Sequence, residues 1–490
     1  MSVRGEVGPG RSLREAWMAL AGLSAVFLFE MLDNSILNVA LPAIGRDLHA
    51  STTALQWVTG SYAVVFGGLM LAFGALADRF GRRRMMLVGL VLLAAASLAT
   101  TFVTTAEQLI AVRVVMGVAA AMTTPLSMAL AFRLFTEDGL RIRATNVIAT
   151  VGLVGVAIGP TVGGLALAVT PWQALLLVNV PIAVLAITGV RSGIAPDDPA
   201  DLHRDPVDIL GAALGTATIA LALVAPTLFV ADGADSWAPW TAAGTAVVVA
   251  LLFVARERTA RHPLVDLRLV ARPLVSSGLA HQAAVGLATA GSLFLVTLQL
   301  QLAWGWSPAH AAVGMLPLIV VMLATGPFIN QFVERVGSGP AAGLGASSVV
   351  AGLAGYALLG NLGYAWVAVA LVLTAAGMRV VGVVASVNVL RGLPQDQTSI
   401  GAAINDSATE VATAIGIAVS GTVLAALFTG DLATTPWSSA QTAQFHHAVT
   451  TTGLTLAAVA AALVCWAVVH GRGAGDDEAT MSVAEALQEA

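Results

Sequence analysis

Lysine is absent from this 490-residue chain, and all 23 basic residues are arginine. Cysteine occurs once, as Cys465 inside an apolar run. A single cysteine excludes disulfides and thiolate metal sites. Charge is also scarce: charged residues make up 10% of the chain, against about 25% in soluble domains. The net charge of −5 leaves no basic footprint for nucleic acid. No polar stretch is long enough for a soluble sensor domain. A nucleotide-binding loop, a nucleophile constellation and paired histidines on facing segments are all missing, so the sequence points to no enzyme and no cofactor. What is present is apolar: 57% of residues are hydrophobic and the mean hydropathy is +0.86. This composition defines an integral membrane protein. The arginines that precede the first apolar run are followed by no small-residue cleavage site, so a retained first span is expected.

Windows of about 20 apolar residues give fourteen candidate spans, near 17–42, 54–77, 85–104, 107–131, 145–169, 172–190, 208–230, 238–255, 274–302, 309–331, 340–361, 364–390, 400–427 and 448–470. The positive-inside rule tests the count. With the N-terminus in the cytoplasm, twenty of the 23 arginines fall on the cytoplasmic side. Arg46 falls outside, and Arg113 and Arg379 fall within spans. Thirteen spans would scatter these charges over both faces. The longest cytoplasmic connectors flank the seventh and eighth spans. The expected architecture is therefore an all-α membrane protein of fourteen transmembrane helices: a six-helix half over 1–191, a linker with two additional helices over 192–272, a second six-helix half over 273–471, and a cytoplasmic tail over 472–490. Both termini are expected inside the plasma membrane (the inner membrane, where there are two). The segment 256–273 alternates charged and apolar residues like a surface-lying helix, and Ser482 with Glu485 has the spacing to cap a short helix in the tail. Two six-span halves suit a transporter built from repeats, with its site at their interface.

Two pairs of carboxylates lie inside these spans. Glu30 and Asp33 fall in the first, within F-L-F-E-M-L-D-N-S-I-L-N, and Asp406 and Glu410 in the thirteenth, within N-D-S-A-T-E-V. An ionised carboxylate at the bilayer centre costs about 2.5–3.5 kcal/mol even on the lenient insertion scale. Pairs at i,i+3 and i,i+4 share a helix face, so each pair is placed to line one cavity and to exchange protons there. From the rise of a helix, Asp33 lies about 14 Å below the outer surface and Arg113 about 9 Å below it. The same arithmetic puts Arg379 and Glu410 at one depth. A salt bridge between them would leave Asp406 and Glu30 as the free acids and a substrate charge of one; Arg379 facing the cavity would instead bind an anionic group. Tyr62, Phe66 and Phe294, with Trp57, are the aromatic residues available to a cavity. Gln299 and Gln301 are placed to line an outer entrance. His281 is read as hydrogen-bonded packing in preference to a relay.

After the second span the chain reads G-A-L-A-D-R-F-G-R-R-R-M, from Gly74 to Met85. This closely resembles the loop signature of the major facilitator superfamily. Span four, L-I-A-V-R-V-V-M-G, resembles that family's arginine motif, with Met116 in place of its usual polar residue. Span five, G-L-V-G-V-A-I-G-P-T-V-G-G, resembles the motif shared by drug:proton antiporters, carried here by Gly155, Gly159, Pro160, Gly163 and Gly164. L-D-N-S-I-L-N-V-A-L-P in span one resembles the first-span signature of the fourteen-span branch, with Ser35 for threonine. The resemblance implies gating by Gly74, Asp78, Arg79, Gly81, Arg82 and Arg83 together with the span-five glycines. It implies that spans one and four are neighbours, so that Asp33 and Arg113 can pair, directly or through water or Asn38, and it implies proton coupling through Asp33, Arg113, Glu410 and Asp406. It further implies substrate contact by Glu30, Asp406, Glu410, Asn38, Tyr62, Phe66, Phe294 and Arg379. Similarity to the quaternary-ammonium-type multidrug exporters is partial, because the acids that subgroup carries in spans two and ten are missing; span ten offers Asn330 and Gln331. The implied activity is proton-coupled efflux of hydrophobic, cationic drugs by alternating access, with export of an endogenous antibiotic or metabolite, an anion included, as the alternative. The expected partners are protons, small hydrophobic cations and the lipid bilayer, with no nucleic acid, and the chain is expected to act as a monomer.

Overall fold

The structure, a computed structural model, describes residues 13–135, 137–197, 208–233, 235–261, 263, 266–391, 398–428 and 437–488. Arg4 and Arg11, Arg204, and residues 429–436 of the outer loop lie outside them. The described residues form helices and no strand. In order these are α1 (Trp17–Asp47), α2 (Thr52–Phe80), α3 (Arg82–Ala99), α4 (Ala106–Leu134), α5 (Asp138–Ala166), α6 (Gln173–Leu177), α7 (Asn179–Gly193), α8 (Ile209–Asp232) and α9 (Trp237–Thr259). There follow α10 (Leu267–Val270), α11 (Pro273–Leu298), α12 (Pro308–Gly314), α13 (Leu316–Ala324), α14 (Gly326–Val336), α15 (Ser338–Leu359), α16 (Tyr364–Arg391), α17 (Thr398–Leu427) and α18 (Ser439–Gln488).

Local chemistry sets many of the boundaries. Ser51, Thr105 and Ser307 each accept a backbone N–H at the start of α2, α4 and α12, satisfying donors a helix leaves open. Gly81, at φ +103°, turns α2 directly into α3, a conformation that excludes most side chains. The run expected as one span at 309–331 is broken into α12, α13 and α14. Pro308, Pro317 and Pro327 each stand in the first two positions of a piece, where a residue without an N–H is tolerated. Among the described residues, eleven helices are long and apolar enough to cross a bilayer, or twelve if α2, bent by 51° past Met70, counts as one. On these criteria the expected fourteen is not reached. Two other expectations are corrected. The surface helix expected over 256–273 is a single turn, α10, because α9 itself runs on to Thr259. The acidic tail continues α18 to Gln488 without a break, so Ser482 and Glu485 begin no separate helix.

Packing divides by end. At the arginine-poor end one core joins residues from both parts of the chain: Leu41, Ile44 and Val58 with Trp172, Leu298, Leu300, Phe428 and Phe445. At the arginine-rich end the cores are separate. One is drawn wholly from 19–194 and the other wholly from 284–464. The two parts also meet along two seams, α2 against α17 and α5 against α12 and α13. Helix α8 lies over the first seam, where Leu223 packs with Ala63, Val64, Ala414 and Ala418. Helix α9 packs on α8, and the pair is clasped at its base by Arg256, whose Nε donates to Asp208 Oδ2 at 2.9 Å.

Candidate functional site

The expected pairing of Asp33 and Arg113 forms, with the Arg113 guanidinium donating to Asp33 Oδ2 and both side chains fully buried. Further contacts fix the arginine. Its Nε donates to the Val58 carbonyl at 3.2 Å, and its guanidinium carbon lies 4.4 Å from the centre of the Tyr62 ring. Asn38 takes no part; its Nδ2 donates to Asn34 of its own helix at 2.9 Å. The second partner of the carboxylate is Asn179, buried at the start of α7, whose Nδ2 donates to Asp33 Oδ1 at 2.7 Å. Sequence reasoning missed Asn179. The only signal was one amide in an otherwise apolar run, L-L-V-N-V-P. Thus α1, α4 and α7 each supply one member of a buried polar cluster, and buried charge is tolerated where it is paired and hydrogen-bonded in this way.

Beside it lie three carboxylates from two distant segments. Glu30 on α1 is within electrostatic reach of Glu410 and Asp406 on α17. Glu30 is 4% exposed, and the Thr124 hydroxyl stands beside its carboxylate as the nearest hydrogen-bonding group. Glu410 sets its Cβ against Gly67 of α2, and Asp406 is exposed although protein surrounds it on all sides, which places it on the wall of an internal cavity. The proposed Arg379–Glu410 bridge is not formed: Glu410 turns toward α2, and the Nε of half-buried Arg379 has no hydrogen-bond partner. Equal depth did not put the two side chains in the same direction. Tyr62, Phe66 and Phe294 are fully buried in packed clusters, so in this conformation none of the three faces open space.

At the arginine-rich end, Arg82 Nε donates to Asp78 Oδ1 at 2.6 Å, Arg79 stands over the Phe80 ring, and Arg83 donates to the Arg191 carbonyl at 2.9 Å. Gly74 has open space beside it. A contact not read from the sequence comes from Asp197, whose two carboxylate oxygens accept the backbone N–H groups of Arg83 and Arg84 at 3.2 and 3.1 Å. This satisfies the first turn of α3 and favours its positive dipole end. The glycines of α5 divide by partner. Gly155, Gly159 and Gly163 lie on Leu28, Ser35 and Ile36 of α1, whereas a Cβ on Gly164 would stand 2.5 Å from the Pro308 carbonyl and 2.8 Å from Ala312 on α12. Gln299 and Gln301 are buried, so neither lines an entrance. Gln301 Nε2 donates to the Val39 carbonyl at 2.9 Å, tying the π-turn 299–303 to α1. His281 is packed as expected, its Nδ1 2.9 Å from the Ser277 carbonyl. Among the described residues no group of three metal-ligating side chains converges.

An all-helical membrane bundle with acidic groups from two halves around one internal wall belongs to the secondary transporters. The family model for the Major Facilitator Superfamily matches residues 23–430, and the chain is a member of that superfamily. It is 30% identical over 433 residues to the multidrug efflux pump LfrA of Mycolicibacterium smegmatis, covering 88% of this chain and 85% of that one. It is 34% identical over 343 residues to the cephamycin export protein CmcT of Amycolatopsis lactamdurans, covering 68% and 69%. The crystal structure of a peptide transporter of the POT family in complex with sulfate shares the fold, with a TM-score of 0.67 at 14% identity over 96% of each chain. The protein is thus a multi-pass membrane transporter related to drug and antibiotic efflux pumps.

Proposed function

We propose that this protein exports hydrophobic, cationic compounds in exchange for protons by alternating access. The observation that carries the reading is the approach of Glu30 from α1 to Glu410 and Asp406 from α17: a movement of one half against the other changes the spacing of like charges, and hence how readily each holds a proton. The core shared by both halves at the arginine-poor end supports a state closed there and open at the arginine-rich, cytoplasmic end. We read α5 and the broken α12–α14 run as spans as well, which restores fourteen, with six in each half, α8 and α9 between them, and both termini in the cytoplasm. With Glu410 unpaired, it stands with Glu30 around exposed Asp406 as a group of three carboxylates, so the site has capacity for more than the single positive charge expected from sequence. Each proton entering across about 100 mV supplies about 2.3 kcal/mol.

The experiment is reconstitution in liposomes with an imposed pH gradient, using tetraphenylphosphonium as probe. Cation movement that is lost on neutralising Asp33, Asp406 or Glu410 one at a time supports the reading. Absence of both cation movement and substrate-induced proton release overturns it. A second reading, export of an anionic metabolite, is favoured by the unpartnered Nε of Arg379. It requires Arg379→Ala to abolish movement of an anionic probe while cation export is spared.

A further inference from the structure

The geometry points to a binding site for an anionic glycerophospholipid at the arginine-rich end of α3. A cavity of about 650 Å³ is bounded by Phe80, Arg83 and Arg84, by Val88 and Val91 further along α3, and by Asp197. Arg84, Val88 and Val91 stand at i, i+4 and i+7, so they share one helix face. That face runs about 10 Å into the membrane from Arg84 to Val91, from the helical rise. Its outer surface is apolar and open: Val88 is 52% exposed, Val91 58% and Phe80 50%. The upper rim is cationic. Arg84 has no ion pair among the described residues. Arg83 spends one guanidinium N–H on the Arg191 carbonyl, and its Nε is without a hydrogen-bond partner. Arg79 is held over Phe80 at the same rim.

Asp197 offsets only part of this charge: its single carboxylate, held by backbone N–H groups of α3, stands against Arg79, Arg83 and Arg84, so the rim stays net positive among the described residues. Arginine above two turns of exposed valine matches a phosphate head joined to an acyl chain. A free anion would use the rim and leave the valines bare, and a zwitterionic lipid would bring its own cationic group, with its phosphate, to a rim that is already positive. The occupant is therefore a lipid carrying net negative charge. The rim belongs to the same Gly74–Met85 loop as the Asp78–Arg82 pair, so occupancy would steady that loop. The site stands whatever compound the protein transports.

The test uses the full-length protein in nanodiscs of phosphatidylcholine with or without phosphatidylglycerol, with retained lipid counted by native mass spectrometry. Arg84→Gln, Val91→Asn and a charge control on the same membrane face, Arg335→Gln, are compared with the unaltered chain. Phosphatidylglycerol is expected to be retained in preference to phosphatidylcholine. Arg84→Gln is expected to weaken that preference about fivefold, the worth of one arginine near an anionic surface. Val91→Asn is expected to weaken it without a change of charge, and Arg335→Gln to leave it intact. Equal losses in Arg84→Gln and Arg335→Gln would reduce the site to general surface charge. Displacement of the lipid by millimolar inorganic phosphate would make it a free-anion site. Either result, or no preference for the anionic lipid, overturns the proposal; the Arg84→Gln result decides even if Val91→Asn does not fold.

Discussion

Asp33 is held by two neighbours of different worth. Arg113 neutralises it, and removing one member of a buried ion pair costs about 3–5 kcal/mol, because the other charge is left uncompensated. Arg113→Ala is therefore expected to lower the unfolding midpoint in detergent sharply, as well as stopping transport. Asn179 contributes one hydrogen bond to a charged acceptor, so Asn179→Leu is expected to cost about 1.5–3 kcal/mol, measured by the same denaturation. The pairing of Asp33 with Arg113 was legible in the sequence, because helical rise puts the two charges at similar height and the family resemblance makes their spans neighbours. Arg379 and Glu410 show the limit of that arithmetic. Height says nothing of the direction a side chain takes around its helix, and Glu410 points at α2. Asp197 was illegible for another reason: its partners are more than a hundred residues away in sequence, and an aspartate in a polar linker carries no mark of the helix end it serves.

Helix α5 is a glycine-lined element whose glycines do different work, which its sequence motif alone does not disclose. Gly164 is the one that meets the other half of the molecule. Gly164→Ala is expected to overpack the α5–α12 contact by about 1–3 kcal/mol and to shift the population away from the closed arginine-poor end. Electron–electron distance measurements between labels at Val169 and Ser307, after replacement of the exposed Cys465, would report a lengthening. Gly60→Ala, with nothing within 4 Å of the added carbon, is the control expected to leave the distance unchanged. The α8–α9 hairpin depends on Asp208. Burial works to raise its carboxyl, but hydrogen bonds from Arg256 and from the Gly211 and Leu210 backbone outweigh burial and hold it below its ordinary value. A depressed carboxyl stabilises the fold fully above its unfolded value and loses that contribution as pH falls through the folded one. Protease cleavage beside exposed Arg261, next to the clasp, should therefore be slow near neutrality and rise only in acid below the usual carboxylate range. In Asp208→Asn it should be fast throughout. The three-piece α12–α14 run was half-legible. Its prolines were present in the sequence, but an apolar window averages over them.

For the molecule as a whole, the closed end is held by apolar packing with few polar ties, and Gln301 supplies one of them from the second half to the first. Gln301→Leu is expected to ease opening at that end and raise accessibility of Asp33-side cysteine probes from outside, without loss of folded protein. The membrane class was visible in hydropathy and arginine placement alone, because a bilayer imposes both on any sequence that crosses it. The route by which a compound reaches the acids was not visible, since it depends on which seam is covered. Helix α8 is laid along α2 and α17, whereas no outer helix lies over α5 and α12 among the described residues. The transporter is therefore lopsided toward its lipid surroundings. Under the export reading, a greasy molecule already dissolved in the membrane would meet a covered seam on one side and an uncovered one on the other, so its access to the bundle would be one-sided even though the two halves are laid out alike.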